Sequence, residues 1–359
     1  MSLPAVTVGT DEVKSSAVNI VVHELSAART AQWDAFVDSC PNATFFHLAG
    51  WQQVFEQAFG HRTHYLFAEF GGEIRGVLPL VHINSRLFGN RLLSMPFCTS
   101  GGVASEDTQA CERLEAAACR LAEELKVDYL ELRNREPRHP DWPTKQLYFT
   151  FRKTMEADPE ANLLAIPRKQ RAMVRKGIKA GLKGDFDHSL NDFYSAYSQS
   201  VHSLGTPVFS RSYFACLQKV FRDKCDILTV THDGKLVSSV MSFYFRDEVL
   251  PYYGGGTPIA RQLKGNDFMY WELMRHSCER GLTVFDYGRS KQGTGSYSFK
   301  KNWGFEPSPL YYEYYLVKAG QMPDVSPMNP KYRLFINAWK RLPLSVTRLI
   351  GPLIARNLE

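Results

Sequence analysis

The sequence predicts an α/β (α+β) fold of two similar domains, each a mixed, mainly antiparallel sheet flanked by helices, with an amphipathic helical tail. Three observations lead to this prediction. The chain has 359 residues, of which 44% are apolar, enough for two domains that each bury a core. One pattern of strands, turns and helices recurs in both halves. The charge also divides between them, with a net −6 over residues 1–165 and +12 over residues 166–359.

Each half begins its pattern with an aromatic-rich helix and a hairpin. The first copy has a helix over 51–59 and strands over 65–70 and 74–81, and the second has a helix over 213–221 and strands over 227–231 and 236–245. Alternating apolar residues around a glycine turn are typical of hairpins. The turn glycines, Gly72 and Gly234, are 162 residues apart.

The order continues with an apolar strand, a Pro-aromatic pair, a glycine pair, a helix and a buried strand. The last two span 111–125 and 129–132 in the first copy, and 267–280 and 283–287 in the second. Pro96 and Pro251 are 155 residues apart, so a longer loop at 85–90 accounts for seven extra residues. Each match is short and could arise by coincidence, but their recurrence in one order favours duplication.

These patterns predict a flexible N-terminus over 1–17, a first domain over 18–160, a second over 161–322 and the tail over 323–359. No run of 18 apolar residues predicts a membrane span, and residues 1–17 lack the apolar core of a signal peptide. The seven cysteines include no Cys-x-x-Cys pair, which favours a reducing compartment and argues against a zinc site. We therefore expect a cytoplasmic protein without a metal.

The order of elements, ending in the motif 299–305, resembles the GNAT acyltransferase fold. The tandem arrangement resembles the FemAB-like branch, whose members move an aminoacyl or acyl group onto an amine of a cell-envelope precursor. Three segments, 166–177, 285–307 and 329–343, are similar to FemAB-type proteins associated with exosortase/PEP-CTERM exopolysaccharide systems. The resemblance covers roughly residues 18–357. It implies an acyltransferase that acts on a nucleotide- or lipid-linked saccharide.

The catalytic prediction centres on Lys300, four residues before Gly304, where GNAT enzymes commonly have a tyrosine. An ammonium group in a dry site stabilises the negative charge that develops during attack on an ester or thioester. The resemblance implies this role for Lys300, whereas Lys301 is a substrate-binding candidate. The alternative is that both are solvated charges on a helix whose Phe299 and Trp303 face the core.

Asp286 and Tyr297 complete the predicted catalytic set. Asp286 ends a buried strand and could accept a proton from the attacking amine, or could cap the following loop through an Asx turn. Tyr297 lies one helical turn before Lys301. Tyr287 and Arg289 follow the same strand and are predicted to contact substrate.

The donor site is predicted at Gln262 and Gly265. GNAT proteins bind the coenzyme A pyrophosphate with Gln/Arg-x-x-Gly-x-Gly/Ala at a helix N-terminus, and these two residues fit that pattern. Asp267 departs from it, because a carboxylate beside a pyrophosphate is unfavourable. The donor therefore stays open between acyl-CoA and aminoacyl-tRNA. The first copy lacks both this element and a counterpart of Lys300, so we expect it to act as scaffold and cleft wall.

The segment 168–183 contains seven Lys or Arg residues and no acidic residue. Val174, Ile178 and Leu182 recur at helical spacing, which predicts an amphipathic helix with a cationic face. A solvated face, a site for RNA or a diphosphate lipid, and a membrane-surface helix are the three interpretations. The resemblance places such a segment near the acceptor's phosphates. On this basis Arg171, Arg175 and Lys176 are predicted substrate contacts.

The tail from Lys331 to Glu359 has six Lys or Arg residues against one Glu, with an apolar stripe over 346–354 that Pro343 and Pro352 should break or kink. It is predicted either to dock on the body or to lie on an anionic bilayer at the inner face of the cytoplasmic membrane. Three functions remain open: a FemAB-like transferase, a coenzyme A-dependent N-acyltransferase acting on a sugar amine, and a non-catalytic protein that binds RNA or membrane.

Overall fold

The computed structural model describes residues 20–86, 88–186, 188–323 and 330–358, with side chains from 335 onward in the last range. The predicted flexible segment 1–17 lies outside these residues. The strands in chain order are β1 Val21–Glu24, β2 Arg62–Phe70, β3 Glu73–Ser85, β4 Gly89–Ser94, β5 Tyr129–Asn134, β6 Thr144–Lys145, β7 Tyr148–Thr154, β8 Lys183–Asp185, β9 Cys225–His232, β10 Lys235–Phe245, β11 Glu248–Gly256, β12 Val284–Asp286, β13 Ser290–Lys291, β14 Pro307–Pro309 and β15 Tyr311–Leu316.

The helices are α1 Thr30–Ser39, α2 Gly50–Val54, α3 Thr108–Glu124, α4 Pro159–Ala165, α5 Arg168–Lys179, α6 Leu190–Leu204, α7 Arg211–Phe221, α8 Ala260–Leu263, α9 Gly265–Glu279, α10 Gly295–Asn302, α11 Pro330–Trp339 and α12 Leu344–Ala355. A π-helix, Phe55–Phe59, continues α2. Among the described helices, none combines the length and the apolar character needed to cross a membrane.

The strands form two sheets, each with one parallel pair among antiparallel neighbours. The first has the order β1-β2-β3-β4-β5-β15-β6, with β4 and β5 parallel. The second has the order β13-β7-β12-β11-β10-β9-β8, with β11 and β12 parallel, and β14 also pairs with β7. The helices flank these sheets, which confirms the predicted fold class.

The two sheets exchange a strand. β7 comes from the first half of the chain but pairs with β12, and β15 comes from the second half but pairs with β5. The contiguous bounds 18–160 and 161–322 therefore do not describe the sheets. Periodicity identifies a strand but not its partner. Which strand pairs with β12 or with β5 depends on how distant segments of the chain assemble.

Both predicted hairpins are present and longer than predicted. β2 pairs with β3 through Gly71 and Gly72, which have φ values of 61° and 86°. β9 pairs with β10 through Asp233 and Gly234, with φ values of 48° and 72°. Two consecutive positive φ values are the requirement of a type I′ turn, which explains the glycines.

The two aromatic-rich helices of the repeat pack against each other at the centre of the molecule. The ring of Phe59 stacks on Tyr213 of α7 with centroids 4.7 Å apart, and Phe45 stacks on Phe243 of β10 at 4.6 Å. These residues belong to one buried cluster that includes side chains from both halves. The aromatic spacing noted in the sequence therefore builds the junction between the halves.

The tail docks on the body. In α12, Thr347, Gly351 and Ala355 are buried, and a Cβ on Gly351 would lie 3.0 Å from Cγ1 of Val208. The guanidinium of Arg348 donates to Ser198 Oγ on α6. Pro343 precedes the first residue of α12, while Pro352 lies inside the helix without ending it.

Candidate functional site

A cavity of about 550 Å³ opens at the N-terminal end of α9, and we call it the α9 cavity. Its wall includes Gly256 at the end of β11 together with the cationic Arg261 and Lys264. The first N–H groups of a helix have no partner within it, and they attract anions with the helix dipole. Gly265 begins α9, and a Cβ there would lie 2.5 Å from Cγ1 of Val237. Only glycine therefore fits at this position.

Asp267 lies in the wall of the α9 cavity, but its carboxylate is held by two side-chain donors. Its Oδ1 accepts from Gln170 Nε2 at 3.0 Å and from Trp303 Nε1 at 3.1 Å. Burial raises the pKa of Asp267, and these two hydrogen bonds lower it. Gln262, the other predicted donor residue, is exposed on α8 and does not line the cavity.

The pairing of β11 with β12 ends part-way along β11. The two strands pair only at Glu248 with Val284 and at Val249 with Phe285, and β11 continues beyond this point. Tyr252 on the continuing strand donates its hydroxyl to the carbonyl of Phe97 at 2.8 Å. A loop of the first half therefore contacts the second sheet at this point.

The turn after β12 lies beside the same contact. Gly288 has a φ of 64°, and a Cβ there would lie 3.5 Å from Thr99 Oγ1 and 3.8 Å from the ring of Tyr252. Thr99 precedes Ser100, which lines a second cavity described below. The turn 287–289 therefore lies against β11 and against the loop of the first half that contains Thr99.

Lys300 lies beneath this turn and is buried. Its Nζ donates to the carbonyl oxygens of Tyr287 at 2.7 Å, Gly288 at 3.0 Å and Arg289 at 3.0 Å. Burial lowers the pKa of Lys300 to about 7, against the opposing effect of the Asp286 carboxylate. Three carbonyl acceptors use all three donors of an ammonium group. The geometry makes Lys300 a support of the turn, and its predicted catalytic role stays a prediction.

Asp286 caps the same turn from the other side. Its Oδ1 accepts from the Gly288 N–H at 2.7 Å, which is the Asx-turn role considered from the sequence. Its Oδ2 lies 3.4 Å from Nε of Arg152, whose guanidinium also pairs with Glu248. Burial raises the pKa of Glu248, and the adjacent Arg152 lowers it. Asp286 therefore belongs to a buried charge cluster at the junction of the sheets.

The two predicted tyrosines pack with aromatic rings. Tyr287 is buried, with its ring edge-on to Phe305 and Phe285 at centroid distances of 4.7 Å and 4.9 Å. Burial raises the pKa of Tyr287 well above its ordinary value. Tyr297 packs edge-on against Phe151 at 5.3 Å. These contacts give both rings a packing role.

Arg289 and Lys301 point to different surroundings. The guanidinium of Arg289 donates to the Tyr312 hydroxyl at 2.9 Å and lies 4.8 Å from the ring centre of Tyr148. It therefore joins the turn 287–289 to β15 in the first sheet. Lys301 is exposed on α10. The structure brings Asp286, Tyr287, Arg289 and Lys300 together around one turn.

The predicted basic helix is α5, and two of the three residues of its predicted apolar stripe, Val174 and Leu182, are buried. Val174 and Gly177 are buried, and a Cβ on Gly177 would lie 2.8 Å from Cβ of Phe268 in α9. Ile178, the third residue of the predicted stripe, is 47% exposed. The side of α5 that contains Gly177 faces α9, because only glycine lets Phe268 approach α5 so closely.

The cationic side chains of α5 divide into two groups. Arg171 donates to the carbonyl of Leu164 at 2.7 Å and is half-buried. Arg175 and Lys176 are exposed, and Met173, two residues before Arg175, lines the α9 cavity. The cationic face therefore lies next to the candidate donor site, and Arg175 and Lys176 are free of any described ion pair.

A second cavity, of about 310 Å³, lies in the first half of the chain, and we call it the first-sheet cavity. Its lining residues are Pro41, Asn42, Thr44, His47, Ser100, Gly101, Gly102, Val103, Ser105, Arg133, Asn134, Arg135, Glu136, Pro137 and Arg138. Arg133 pairs with Glu131. In the described residues, Arg135 Nε and Ser100 Oγ are buried without a hydrogen-bond partner.

Arg135 connects this cavity to the charge cluster. Burial lowers its pKa, and the nearby carboxylates of Asp286 and Glu248 raise it. His47 is fixed in its neutral form, because Nδ1 accepts from the Thr44 N–H and Nε2 donates to the Gly102 carbonyl. Burial lowers the pKa of His47 to about 4. The first-sheet cavity therefore combines a neutral imidazole with an unpaired guanidinium nitrogen.

Comparison with known proteins finds a family match in the second half. Residues 168–301 match the model of the acetyltransferase (GNAT) domain. This segment contains α5, the α9 cavity and Lys300. The chain is an acyltransferase.

Solved structures share the fold of this acyltransferase over most of its length. The crystal structure of FemX superposes with a TM-score of 0.66 at 15% identity, covering 88% of this chain and all of that one. The C-terminal domain of a putative lysylphosphatidylglycerol synthetase from Agrobacterium fabrum gives 0.56 at 12% identity, covering 82% and 93%. A conserved protein of unknown function from Bacteroides thetaiotaomicron VPI-5482 gives 0.55 at 10% identity, covering 83% and 99%. No curated protein matches the sequence closely.

Sequence reasoning missed the first-sheet cavity of the acyltransferase. The glycine pair Gly101-Gly102 was recognised as part of the repeat, and three arginines lie within 133–138. Those two segments meet in space because Gly101 N and Gly102 N both donate to the Arg133 carbonyl. The signal was therefore present, but assigning it required knowing that the glycine turn packs on the end of β5.

Proposed function

We propose that this acyltransferase moves an acyl group from an acyl-CoA to an amine of a nucleotide- or lipid-linked saccharide precursor of the cell envelope, at the cytoplasmic face of the membrane. The observation that carries the proposal is the α9 cavity, which joins a helix N-terminus to Arg261 and Lys264. A diphosphate is the anion such a site suits. The narrower association with exosortase/PEP-CTERM exopolysaccharide systems is part of the proposal and is supported by the sequence resemblance.

The geometry of Asp267 supports acyl-CoA as the donor. From the sequence alone, its carboxylate argues against a pyrophosphate at this helix. In the folded chain the carboxylate accepts hydrogen bonds from Gln170 and Trp303, so its Oδ1 is bound by the protein. Arg261 and Lys264 add two positive charges to the same wall. The cavity is therefore net cationic, as a diphosphate site requires.

The first-sheet cavity supports an anionic acceptor. In the described residues, Nε of Arg135 is buried without a hydrogen-bond partner, and the hydroxyl of Ser100 is also buried without one. Buried polar groups are normally hydrogen-bonded, so such groups in a cavity are candidates for ligand contacts. A phosphate or carboxylate of the acceptor would satisfy both.

In the proposed reaction the transfer takes place between the two cavities, along β11. Gly256 lines the α9 cavity, and Tyr252 lies four residues earlier on β11, roughly 13 Å along an extended strand. Tyr252 contacts the loop that leads to Ser100. In the proposed reaction the acceptor amine attacks the thioester carbonyl, the C–N bond forms, the C–S bond breaks, and the amine proton ends on the coenzyme A thiol.

The test of the donor uses calorimetry with coenzyme A and mass spectrometry of products from acyl-CoA and amino-sugar acceptors. We expect coenzyme A to bind to the unmodified chain. The double variant R261E/K264E should bind coenzyme A at least about tenfold more weakly, which is the equivalent of one charge-assisted hydrogen bond. The matched control is K235E, at an exposed lysine that begins β10 outside the cavity.

The products decide between donors. Acylated product formed from acyl-CoA, insensitive to ribonuclease, supports the proposal. Product formed only with charged tRNA and abolished by ribonuclease would replace acyl-CoA with aminoacyl-tRNA, for which the exposed cations of α5 would be the contact surface. The R135K variant, with an unchanged KM for donor and a raised KM for acceptor, would assign the acceptor to the first-sheet cavity.

A further inference from the structure

The C-terminal helix α12 has two faces of unusual character. The face toward the body contains Thr347, Gly351 and Ala355, which are buried at successive turns. A helix docked in this way normally presents polar side chains to water. The opposite face of α12 instead presents apolar side chains, so docking leaves part of its apolar surface uncovered.

The uncovered side chains form one row. Leu349 is 77% exposed, Leu353 is 62% exposed and Val346 is 37% exposed. Their spacing of three and four residues places them on one side of the helix, one turn apart. Leu349 has the largest exposed fraction of any large apolar side chain in the described residues. The row therefore differs from the singly scattered apolar residues that normal surfaces carry.

Within residues 335–358 the charged side chains are all cationic. Lys340 and Arg341 precede α12, Arg356 follows it, and all three are exposed. Residues 335–358 contain no aspartate or glutamate. Arg356 lies seven residues after Leu349, so it belongs to the same side of the helix. The fourth cation, Arg348, is turned to Ser198 and the ring of Tyr194.

We propose that the outward face of α12 binds an anionic lipid surface, with Val346, Leu349 and Leu353 in the interface and Lys340, Arg341 and Arg356 on the headgroups. An apolar row flanked by cations is the composition of helices that lie in the plane of a membrane. Because one face of α12 is docked on the body, the helix is held in place. Its outward row of Val346, Leu349 and Leu353 can therefore contact a flat surface along its whole length. This inference is independent of the donor and acceptor proposed above.

The experiment is co-sedimentation of the full chain with vesicles of phosphatidylcholine alone or mixed with phosphatidylglycerol. We expect binding only to the mixed vesicles, weakening as salt is raised. The L349S/L353S variant is expected to lose binding by about tenfold or more, because two apolar side chains leave the interface. K340E/R341E is expected to lose it as well.

Matched controls separate this face from the rest of the surface. Leu164 is 59% exposed on α4, so L164S tests loss of an exposed leucine elsewhere, and K235E tests loss of an exposed lysine. Both should bind like the unmodified chain. Thermal unfolding of every variant verifies that α12 stays docked.

Three results would overturn the proposal. The first is equal sedimentation of L349S/L353S and the unmodified chain. The second is binding lost on charge reversal at Arg175 and Lys176 of α5 but retained in the α12 variants. The third is a dimer in solution that L349S/L353S converts to a monomer without any vesicle binding, which would assign the face to a second copy of this chain.

Discussion

The Nζ of Lys300 lies 2.7 Å from the carbonyl oxygen of Tyr287, and its other two donors reach the carbonyls of Gly288 and Arg289. A single buried ammonium group therefore holds a turn of three residues. Within that turn, Gly288 approaches Thr99 and Tyr252 of β11. The relationship gives Lys300 a measurable structural effect as well as a predicted catalytic one.

The variant K300M removes three donors and leaves three carbonyl groups without their partner. We expect unfolding free energy to fall by about 3 kcal/mol, since each buried unsatisfied group costs about 1–3 kcal/mol and water recovers part of the loss. Chemical denaturation measures this change. The exposed neighbour variant K301M should change stability by less than about 0.5 kcal/mol.

Kinetics of the same variants separate the two roles of Lys300. If Lys300 supports the turn, K300M should lower both activity and stability. The pH dependence of kcat should then show the same titrating groups in K300M as in the unmodified enzyme. If it stabilises charge directly, K300M should abolish turnover while the melting temperature stays unchanged. The latter outcome would contradict the structural interpretation of the three hydrogen bonds.

Asp286 is the second residue on which the turn depends. D286A removes the acceptor of the Gly288 N–H and the carboxylate beside Arg152 and Arg135. The buried Gly288 N–H loses its acceptor, which costs about 1–3 kcal/mol, and the buried Arg135 loses a nearby carboxylate, so we expect a loss of about 3 kcal/mol in denaturant unfolding. D286N keeps an oxygen acceptor for Gly288 and should lose less. The exposed Asp185 provides the control D185A.

His47 predicts a pH dependence of stability. Burial lowers its folded pKa to about 4, below the ordinary value of 6.5, so the unfolded chain binds its proton more tightly between these values. Stability contributed by neutral His47 is therefore complete above pH 6.5 and is lost as pH falls toward 4, by up to about 3 kcal/mol. Unfolding curves between pH 4 and 7 measure it.

The control for this pH dependence is the exposed His23. H47Q should flatten the fall in stability between pH 6.5 and 4, whereas H23Q should retain it. Equal slopes in H47Q and the unmodified chain would show that other groups cause the acid sensitivity.

The faces of α5 give a contrast between adjacent residues. A Cβ at position 177 would lie only 2.8 Å from Cβ of Phe268, and valine in G177V adds two further methyl groups. We therefore expect the free energy of unfolding to fall by about 2 kcal/mol because of overpacking. I178S changes an exposed side chain and should stay within about 0.5 kcal/mol. Thermal melts of both variants test which stripe packs on α9. A larger loss of stability for I178S than for G177V would show that Ile178 packs on the body together with the rest of the predicted stripe.

The local structure was largely predictable because its causes are local. Alternation and the glycine turns predicted both hairpins, and Gly72 and Gly234 have the positive φ values that such turns require. The helical spacing of aromatic residues predicted α7 and the helix over 50–59. Gly265 could be assigned to a helix start from its motif alone. Each of these features depends on a few neighbouring residues.

The amino-acid sequence is therefore sufficient to predict the helix and strand pattern, the fold class and an acyltransferase. The exchange of β7 and β15, the residues of α5 that pack, and the surroundings of Lys300 are visible only in the folded chain. It also revealed the first-sheet cavity and the uncovered face of α12. The physical reason is that periodicity records which side of an element is apolar, whereas strand partners, buried charges and cavities depend on residues brought together from distant parts of the chain.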